Sequence, residues 1–442
     1  MFKPENNINK NVLIVGCGKS GISAAKLIEK KLKSKIYIFD EKPLKTKYTK
    51  LSFKKLEKII KKIDFAIKSP GFADNHPLLL KLKKNNIPIY SEIEIGISFL
   101  KTSNIIMITG TNGKSTTTYL TYLILNEFLK KSKAKAILAG NIGIPITSVV
   151  NKIKKHDWVV IEISSYQIQD SNFLKPYIAA ILNIKPDHIE HHGSFKNYIK
   201  AKLKIFSNMD KDNILIINDD DKILKKIKTN IKILRFSTSH IADSYYKNGK
   251  IIVKKDKKIL SFKPANISGL HNIENQMASI LISIYSGVDQ KTIQKVLNNF
   301  NGLEHRVEFV KKINGVTYIN DSKATNVDST ITALKAIGKK KNIYLILGGK
   351  HKNSPYKPLI PYIKKYVKKI LAIGQARPLI FKDLKGTVDI IDAKDIKNAL
   401  KIAKNEAKKG DIVLLSPACA SFDQFKNFEE RGKKFKKWVN SL

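Results

Sequence analysis

Gly110-Thr111-Asn112-Gly113-Lys114-Ser115-Thr116 constrains this chain more than any other stretch. The apolar run Asn104-Ile105-Ile106-Met107-Ile108-Thr109 before it reads as a buried strand, and residues 117–125 after it read as the start of a helix. A glycine turn between a strand and a helix leaves backbone N–H groups unpaired at the helix N-terminus, where those donors and the helix dipole favour an anion. Lys114 is placed to reach a terminal phosphate, and the Ser115 hydroxyl to ligate Mg²⁺. The loop is shorter than the full nucleoside-triphosphate pattern, because Ile108 stands where that pattern has its first glycine. The plain alternative is a glycine-rich turn with a solvated lysine. Strand, turn and helix in the required order favour the phosphate.

The N-terminal segment repeats the same order. Residues 11–15 are a predicted strand, Gly16-Cys17-Gly18-Lys19-Ser20-Gly21 the turn, and an amphipathic helix follows to about Lys31. A second strand, 35–39, ends at Asp40. This G-x-G-x-x-G with an acidic residue roughly twenty positions on is the dinucleotide-type fingerprint. Its glycines let the backbone approach a pyrophosphate, and Asp40 is placed to bond a ribose or base. By itself it fits NAD, FAD or any nucleotide diphosphate, so an NAD-dependent dehydrogenase stays open at this point. Residues 64–68 read as another strand, leading to Ser69-Pro70-Gly71. Strands alternating with helices imply a parallel sheet covered on both faces.

Further along, strands again deliver polar residues to their carboxyl ends, where ligands sit in open parallel sheets. Residues 157–161 deliver Glu162, and 177–183 deliver Asp187-His188. Both are candidates for a hard cation beside the Lys114 phosphates; a lone glutamate or histidine is otherwise a surface or satisfied core residue. Ala139-Gly140-Asn141-Ile142-Gly143 reads as a substrate-facing turn, or as a loop shaped only by its glycines. His191 and His192 read as ordinary loop histidines. Lys202 reads as one more solvated lysine on a lysine-rich helix. Asn272 and Asn275 share a helix face at the opening of an apolar helix, 276–285, and would cap it or read a base edge. Residues 301–306 read as a hinge. Beyond it, predicted strands at 318–320, 343–347, 369–373 and 412–415 each precede a polar or glycine loop, which again implies a parallel sheet. The loop Asp321-Ser322-Lys323-Ala324-Thr325-Asn326 faces a phosphate or ribose on one reading, and only caps a helix on the other.

A chain of 442 residues exceeds one core, and the segments above suggest domains at 1–98, 99–302 and 303–442. No apolar run approaches the ~20 residues that cross a bilayer. The opening residues lack the apolar region of a signal peptide, and the two cysteines, Cys17 and Cys419, form no pair or metal spacing. A cytoplasmic protein without membrane contact is expected. The formal net charge is +45, yet only four of the 82 basic residues are arginines. Groove readers favour arginine, whose fork contacts guanine and phosphate bidentately. Here lysine is spread through every segment alongside heavy Ile and Asn use, a compositional drift. No nucleic-acid partner is expected, only attraction to anionic metabolites at low salt; a nucleic-acid-stimulated ATPase is the rival reading.

Taken together, the motifs resemble the Mur ligases of peptidoglycan synthesis, over nearly the whole chain from Gly16 to Gly432. Residues 110–116 are similar to the family's short ATP loop. Residues 139–143, Glu162-Ile163-Ser164-Ser165-Tyr166-Gln167, Asp187-His188, His271-Asn272, His305-Arg306, 321–326 and 416–429 follow in family order. The ending SPACASFDQFKNFEERG, 416–432, resembles most specifically the branch that adds D-glutamate. It argues against relatives that add another amino acid and against folylpolyglutamate synthase.

The resemblance implies an α/β protein of three domains, each with a mainly parallel sheet flanked by helices: Rossmann-like, P-loop-type ATPase, and Rossmann-like again. It implies ATP-dependent, ADP-forming ligation of D-glutamate to UDP-N-acetylmuramoyl-L-alanine through an acyl phosphate, by a cytoplasmic monomer. Gly110, Thr111, Asn112, Gly113, Lys114, Ser115 and Thr116 would hold ATP, with Asn272 and Asn275 facing adenine and Arg306 and Asp321 holding ribose. Ser115, Glu162 and His188 would ligate Mg²⁺, two ions in all, and Lys202 would carry a carbamate as a bridging ligand. Lys323 would touch a phosphate and join Lys114, His188 and Lys202 as the catalytic set. Gly18, Ser20, Asp40, Ser69, Asn141 and Ser164 would contact the UDP-linked substrate. Thr325, Lys352, Ser421, Phe422 and Phe428 would place D-glutamate. The chain departs from the pattern twice. Glu41-Lys42 follows Asp40 where relatives often carry a small hydroxyl residue and an arginine, and His351 stands where an acidic residue is common.

Overall fold

A computed structural model describes residues 2–41, 46–72, 76–267, 269–351 and 355–442, with the Glu190 side chain also outside the described set. Its strands form three sheets. The first has the order β3-β2-β1-β4-β5 and is parallel throughout, from β1 (Asn11–Val15), β2 (Lys35–Phe39), β3 (Thr49–Lys50), β4 (Phe65–Lys68) and β5 (Ile89–Ser91). Its central strand carries Val12, Leu13, Ile14 and Val15 wholly buried. A continuous apolar run is what a strand covered on both faces requires.

The second sheet runs β14-β13-β12-β11-β10-β9-β6-β8-β7. Its strands are β6 (Ile105–Thr109), β7 (Ala136–Gly140), β8 (Trp158–Glu162), β9 (Ile178–Ile181), β10 (Ile214–Asn218), β11 (Lys232–Ser237), β12 (Ser244–Lys247), β13 (Lys250–Lys255) and β14 (Lys258–Phe262). It is parallel from β7 to β12 and ends in an antiparallel extension, β12–β14. The third sheet runs β15-β16-β20-β17-β18-β19, from β15 (Glu308–Ile313), β16 (Val316–Asn320), β17 (Ile343–Gly348), β18 (Val367–Ile373), β19 (Asp389–Lys394) and β20 (Ile412–Leu415). Only β15 is antiparallel to its neighbour. The fold is therefore α/β with mainly parallel sheets flanked by helices. The chain divides into two compact units, Met1–Ala265 with Leu270–Phe300, and Asn266–Gly269 with Asn301–Leu442, so the first two sheets share one unit.

The structure adds strands to those expected. Strands β3 and β11, the β12–β14 extension and the edge strands β15 and β19 are additional. Strands β15 and β19 consist of exposed and half-buried residues apart from the buried Ala393, so they lack the unbroken apolar run that reveals a central strand. The apolar stretch 276–285 continues a helix that starts at Leu270, so Asn272 and Asn275 lie in its first turns as expected.

Candidate active site

The phosphate loop joins β6 to the helix Lys114–Phe128. Gly113 caps that helix at φ +85°, and a Cβ there would stand 2.1 Å from Asn275 Oδ1, so both the backbone and the space demand glycine. The residues beyond β9 hold the loop. Thr111 N–H donates to Asn183 O (2.9 Å), Asn112 N–H to Asn183 Oδ1 (2.8 Å), and Asn183 Nδ2 back to Asn112 O (3.1 Å). Thr111 Oγ1 accepts the Lys185 N–H (3.0 Å) and meets the Tyr198 hydroxyl (2.9 Å). Lys114 Nζ donates to Gly110 O (2.8 Å) and Thr111 O (2.9 Å), which curls its charge over the loop. Ser115 and Thr116 are buried in the first helical turn. Asn272 and Asn275 do share a face: Asn275 Nδ2 donates to Asn272 Oδ1 (3.2 Å), while Asn275 Oδ1 accepts from Thr117 Oγ1 (3.3 Å) and so braces the helix behind the loop.

Beside this loop stand Glu162 and Lys202. Glu162 ends β8 and is buried; Oε1 accepts from Asn141 Nδ2 (2.7 Å), and Oε2 is buried with no hydrogen-bond partner. Leaving such an oxygen unpaired costs roughly 1–3 kcal/mol or more, and a hard cation is the partner that suits it. Lys202 is 1% exposed. Its Nζ donates to Gly110 O (2.9 Å), and the Tyr198 ring, one helical turn earlier, lies 4.9 Å away. Burial, then the Lys114 ammonium, push its pKa well below the ordinary lysine value, against the carboxylates of Asp187 and Glu162. It therefore holds more neutral, nucleophilic amine than a surface lysine does.

His188 adopts a left-handed backbone (φ +52°), with its ring 5.0 Å from that of Tyr166 and Nε2 3.5 Å from Asp187 Oδ2. Tyr166 also packs against His191 and His192, and His192 is buried with Nε2 3.1 Å from Ser165 Oγ. Among the described residues no three His, Cys, Asp or Glu side chains converge on a metal position. A buried carboxylate oxygen near a phosphate loop still fits Mg²⁺, which binds through one or two carboxylates and takes its other ligands from water and phosphate.

In the first sheet, Gly16 turns at φ +89°, and a Cβ on it would stand 2.7 Å from Ser69 Cβ and 3.0 Å from the Phe72 ring. Ser69 Oγ donates to Gly16 O (2.7 Å), and Asp40 Oδ2 accepts the Cys17 N–H (2.6 Å). Gly18 caps the helix Lys19–Leu32, with nothing close to where its side chain would be, and Ser20 is half-buried in the first turn. Ser164 caps the helix Ser165–Gln169 in a reciprocal capping box with Gln167.

In the second unit, Asp321 follows β16 and is fully buried. Oδ2 accepts from Ser416 Oγ (2.7 Å) and Oδ1 from the Val307 N–H (3.2 Å). Burial pushes its pKa up to about 7, against the Ser416 bond and the Arg306 charge. Lys323 N–H donates to His305 O (3.0 Å) and Thr325 N–H to Lys323 O (2.9 Å), so this loop is tightly folded. Arg431, 1% exposed, donates to Ser322 Oγ (2.9 Å), Ser322 O (2.8 Å) and Cys419 O (3.1 Å). It ties the loop after β16 to the loop after β20. That second loop carries Ser421, buried, and Phe422, 65% exposed. Phe428 opens the last helix with its ring 6.4 Å from His305. Lys352 lies outside the described residues, and the His351 ring is 5.9 Å from Tyr356. Tyr198, His192 and Arg431 were not singled out from the sequence; only the i, i+4 spacing of Tyr198 and Lys202 on one helix offered a signal.

The sequence patterns of the Mur ligase middle domain and of the Mur ligase glutamate ligase domain match residues 108–283 and 305–419. A relative from Elusimicrobium minutum, named UDP-N-acetylmuramoylalanine–D-glutamate ligase, is 44% identical over the full length of both chains. The chain belongs to the Mur ligase family. A Koribacter versatilis relative of the same name is 37% identical over 98% of each chain. UDP-N-acetylmuramate–alanine ligase of Thermotoga maritima superposes on this Mur ligase with a TM-score of 0.60, covering 98% of this chain and 99% of that one at 17% identity. The MurF ligase of Thermotoga maritima in complex with ADP gives 0.58, covering 100% and 97%, at 17% identity. These two likenesses establish the fold. Family membership closes the dehydrogenase reading of the Gly16–Gly21 turn.

Proposed function

We propose that this Mur ligase joins D-glutamate to UDP-N-acetylmuramoyl-L-alanine, with ATP converted to ADP and phosphate. The observation that carries this reading is the phosphate loop with the orphaned Glu162 oxygen and the buried Lys202 against it, in a chain whose full-length relatives bear that enzyme's name. The alanyl carboxylate attacks the γ-phosphorus of ATP and the bond to ADP breaks. The D-glutamate nitrogen then attacks the acyl carbon, the bond to phosphate breaks, and a proton leaves the nitrogen. Negative charge moves at each step, so fixed cations and N–H donors supply most of the rate enhancement. Lys114 and the loop N–H groups hold the β- and γ-phosphates. Ser115, Glu162, His188 and a carbamate on Lys202 would hold two Mg²⁺ ions, and the low pKa of Lys202 supports the carbamate, since only the neutral amine adds to CO₂. When bound, Mg²⁺ neutralises the transferring phosphoryl group.

We assign residues 1–98 to the UDP-linked substrate through Gly18, Ser20, Asp40 and Ser69. Residues 99–302 take ATP, with Asn272 and Asn275 towards adenine, and reach the acyl substrate through Asn141 and Ser164. Residues 303–442 take D-glutamate through Thr325, Lys352, Ser421, Phe422 and Phe428, and meet the nucleotide through Arg306, Asp321 and Lys323. The enzyme acts as a cytoplasmic monomer; no described helix is long and apolar enough to cross a membrane. Phosphate release from ATP and Mg²⁺ tests the reaction. It should require both UDP-N-acetylmuramoyl-L-alanine and D-glutamate, and fall when L-glutamate replaces the D-isomer. Release indifferent to D-glutamate, or supported equally by another amino acid, refutes the assignment.

A further inference from the structure

Glu162, His188 and Lys202, assigned above to the metal ions, come from three separate elements. Glu162 ends β8, His188 precedes the short helical turn Ile189–His192, and Lys202 lies in the helix Phe195–Leu203. Ligands from separate elements hold an ion well only when outer residues fix them relative to one another. His192 lies among these elements. Its sequence context is that of a loop histidine, yet it is 6% exposed, and the assigned ligand set does not use it.

The imidazole of His192 connects to all three. Nε2 stands 3.1 Å from the buried Ser165 Oγ, in the first turn of the helix Ser165–Gln169 that follows Glu162. The ring packs edge-on to Tyr198 at 5.3 Å, one helical turn before Lys202. It also lies tilted against Tyr166 at 5.5 Å, and the Tyr166 ring is in turn 5.0 Å from that of His188. The backbone repeats the arrangement. His192 N–H donates to His188 O (3.1 Å), and His192 O accepts from Asn197 Nδ2 (2.9 Å) in the helix of Lys202. Tyr198 carries the position onward, with its ring 4.9 Å from Lys202 Nζ. The phosphate loop has support of its own, from Asn183 and Lys185. A change at His192 should therefore reach the ion ligands and spare the loop.

We propose that His192 is a positioning residue: it fixes Glu162, His188 and Lys202 relative to one another and so sets the affinity for Mg²⁺, without touching the ion. A histidine that only filled the core would add stability and leave ion binding by the folded protein unchanged. The inference rests on the metal reading of the preceding section.

The test is calorimetric binding of β,γ-methylene-ATP, a nucleotide that cannot transfer its phosphate, to the wild type and His192→Ala. Each is measured once with Mg²⁺ and once with EDTA. The ion meets the same nucleotide in solution in every titration, so a difference between proteins belongs to the site. Loss of an outer residue that orients metal ligands costs about 10–100-fold. His192→Ala should therefore raise the Kd measured with Mg²⁺ about tenfold or more, and leave the Kd measured with EDTA within about twofold of the wild type. Circular dichroism checks that the variant is folded. If it is not, His192→Phe carries the test by the same comparison. That variant keeps a ring against Tyr198 and Tyr166 but loses the bond to Ser165, and its Kd with Mg²⁺ should rise about threefold or more. A folded variant whose Kd with Mg²⁺ stays within about twofold of the wild type, or which loses affinity equally with and without the ion, overturns the proposal. If Mg²⁺ does not tighten binding to the wild type, the metal reading itself has failed, and this inference falls with it.

Discussion

Lys68 ends β4 in the first sheet, and Asp170 follows the helix Ser165–Gln169 beyond β8 in the second. Their Nζ and Oδ1 atoms are 2.7 Å apart, with side chains only 3% and 6% exposed. Ser91 Oγ and Ser171 Oγ meet alongside (2.6 Å), and Glu92 Oε1 accepts from the Thr147 N–H (2.9 Å) and hydroxyl (2.6 Å). A buried ion pair is asymmetric in its energetics. Removing one partner strands the other charge and costs about 3–5 kcal/mol, whereas replacing both by apolar residues of similar volume is near neutral. Lys68→Met and Asp170→Leu should each destabilise the first unit by that amount, and the double variant by much less than their sum, with a coupling of at least about 2 kcal/mol. The chain's two tryptophans make this measurable. Trp158 begins β8 in the first unit and Trp438 lies in the second. Urea unfolding followed by Trp158 fluorescence in a Trp438→Phe background isolates the right unit. With a urea slope near 3 kcal/mol per M, each single variant should lower the midpoint by about 1–1.7 M. If Lys68→Met shifts the midpoint no more than Lys196→Met, at an exposed lysine, or if the single effects simply add, the burial argument is wrong.

Asp321 offers a pH test. Its folded pKa, about 7, is raised above the usual carboxylate value by burial, so the folded state binds the proton more tightly. The resulting stability is full below about pH 4 and is lost as pH rises towards 7, at a cost of order 2–4 kcal/mol. Asp321→Asn should flatten that slope in Trp438-monitored unfolding between pH 4 and 8, and an unchanged slope would count against it. For Lys202→Ala, near-complete loss of phosphate release should be partly reversed by added short carboxylates, if a carbamate is the working ligand. No recovery across several acids would sink that role.

Much of the site was legible before any coordinates. Gly113 and Gly16 had to be glycine for local reasons, and both sit at left-handed turns with no room for a side chain. Glu162 was placed by a strand end alone, and β8 does end there. Lys202 was legible only through the family resemblance. Nothing in its helix distinguishes it from Lys200, which is exposed; burial comes from docking Tyr198 and Lys202 against the phosphate loop. Arg431 was equally hidden, because an arginine in the first turn of a charged helix reads as solvated until two loops distant in sequence close over it.

The division follows from physics. Hydrophobic period, glycine turns and strand-to-helix order act over a few residues, so the chain by itself determined the α/β class, the two phosphate-type turns and which strand ends would carry polar groups. Desolvation, orphaned oxygens and ion pairs depend on what packs from elsewhere. Tertiary structure alone therefore decided that Lys202 loses its surface pKa, that Glu162 keeps an unpartnered oxygen, and that Lys68 and Asp170 join the first two sheets.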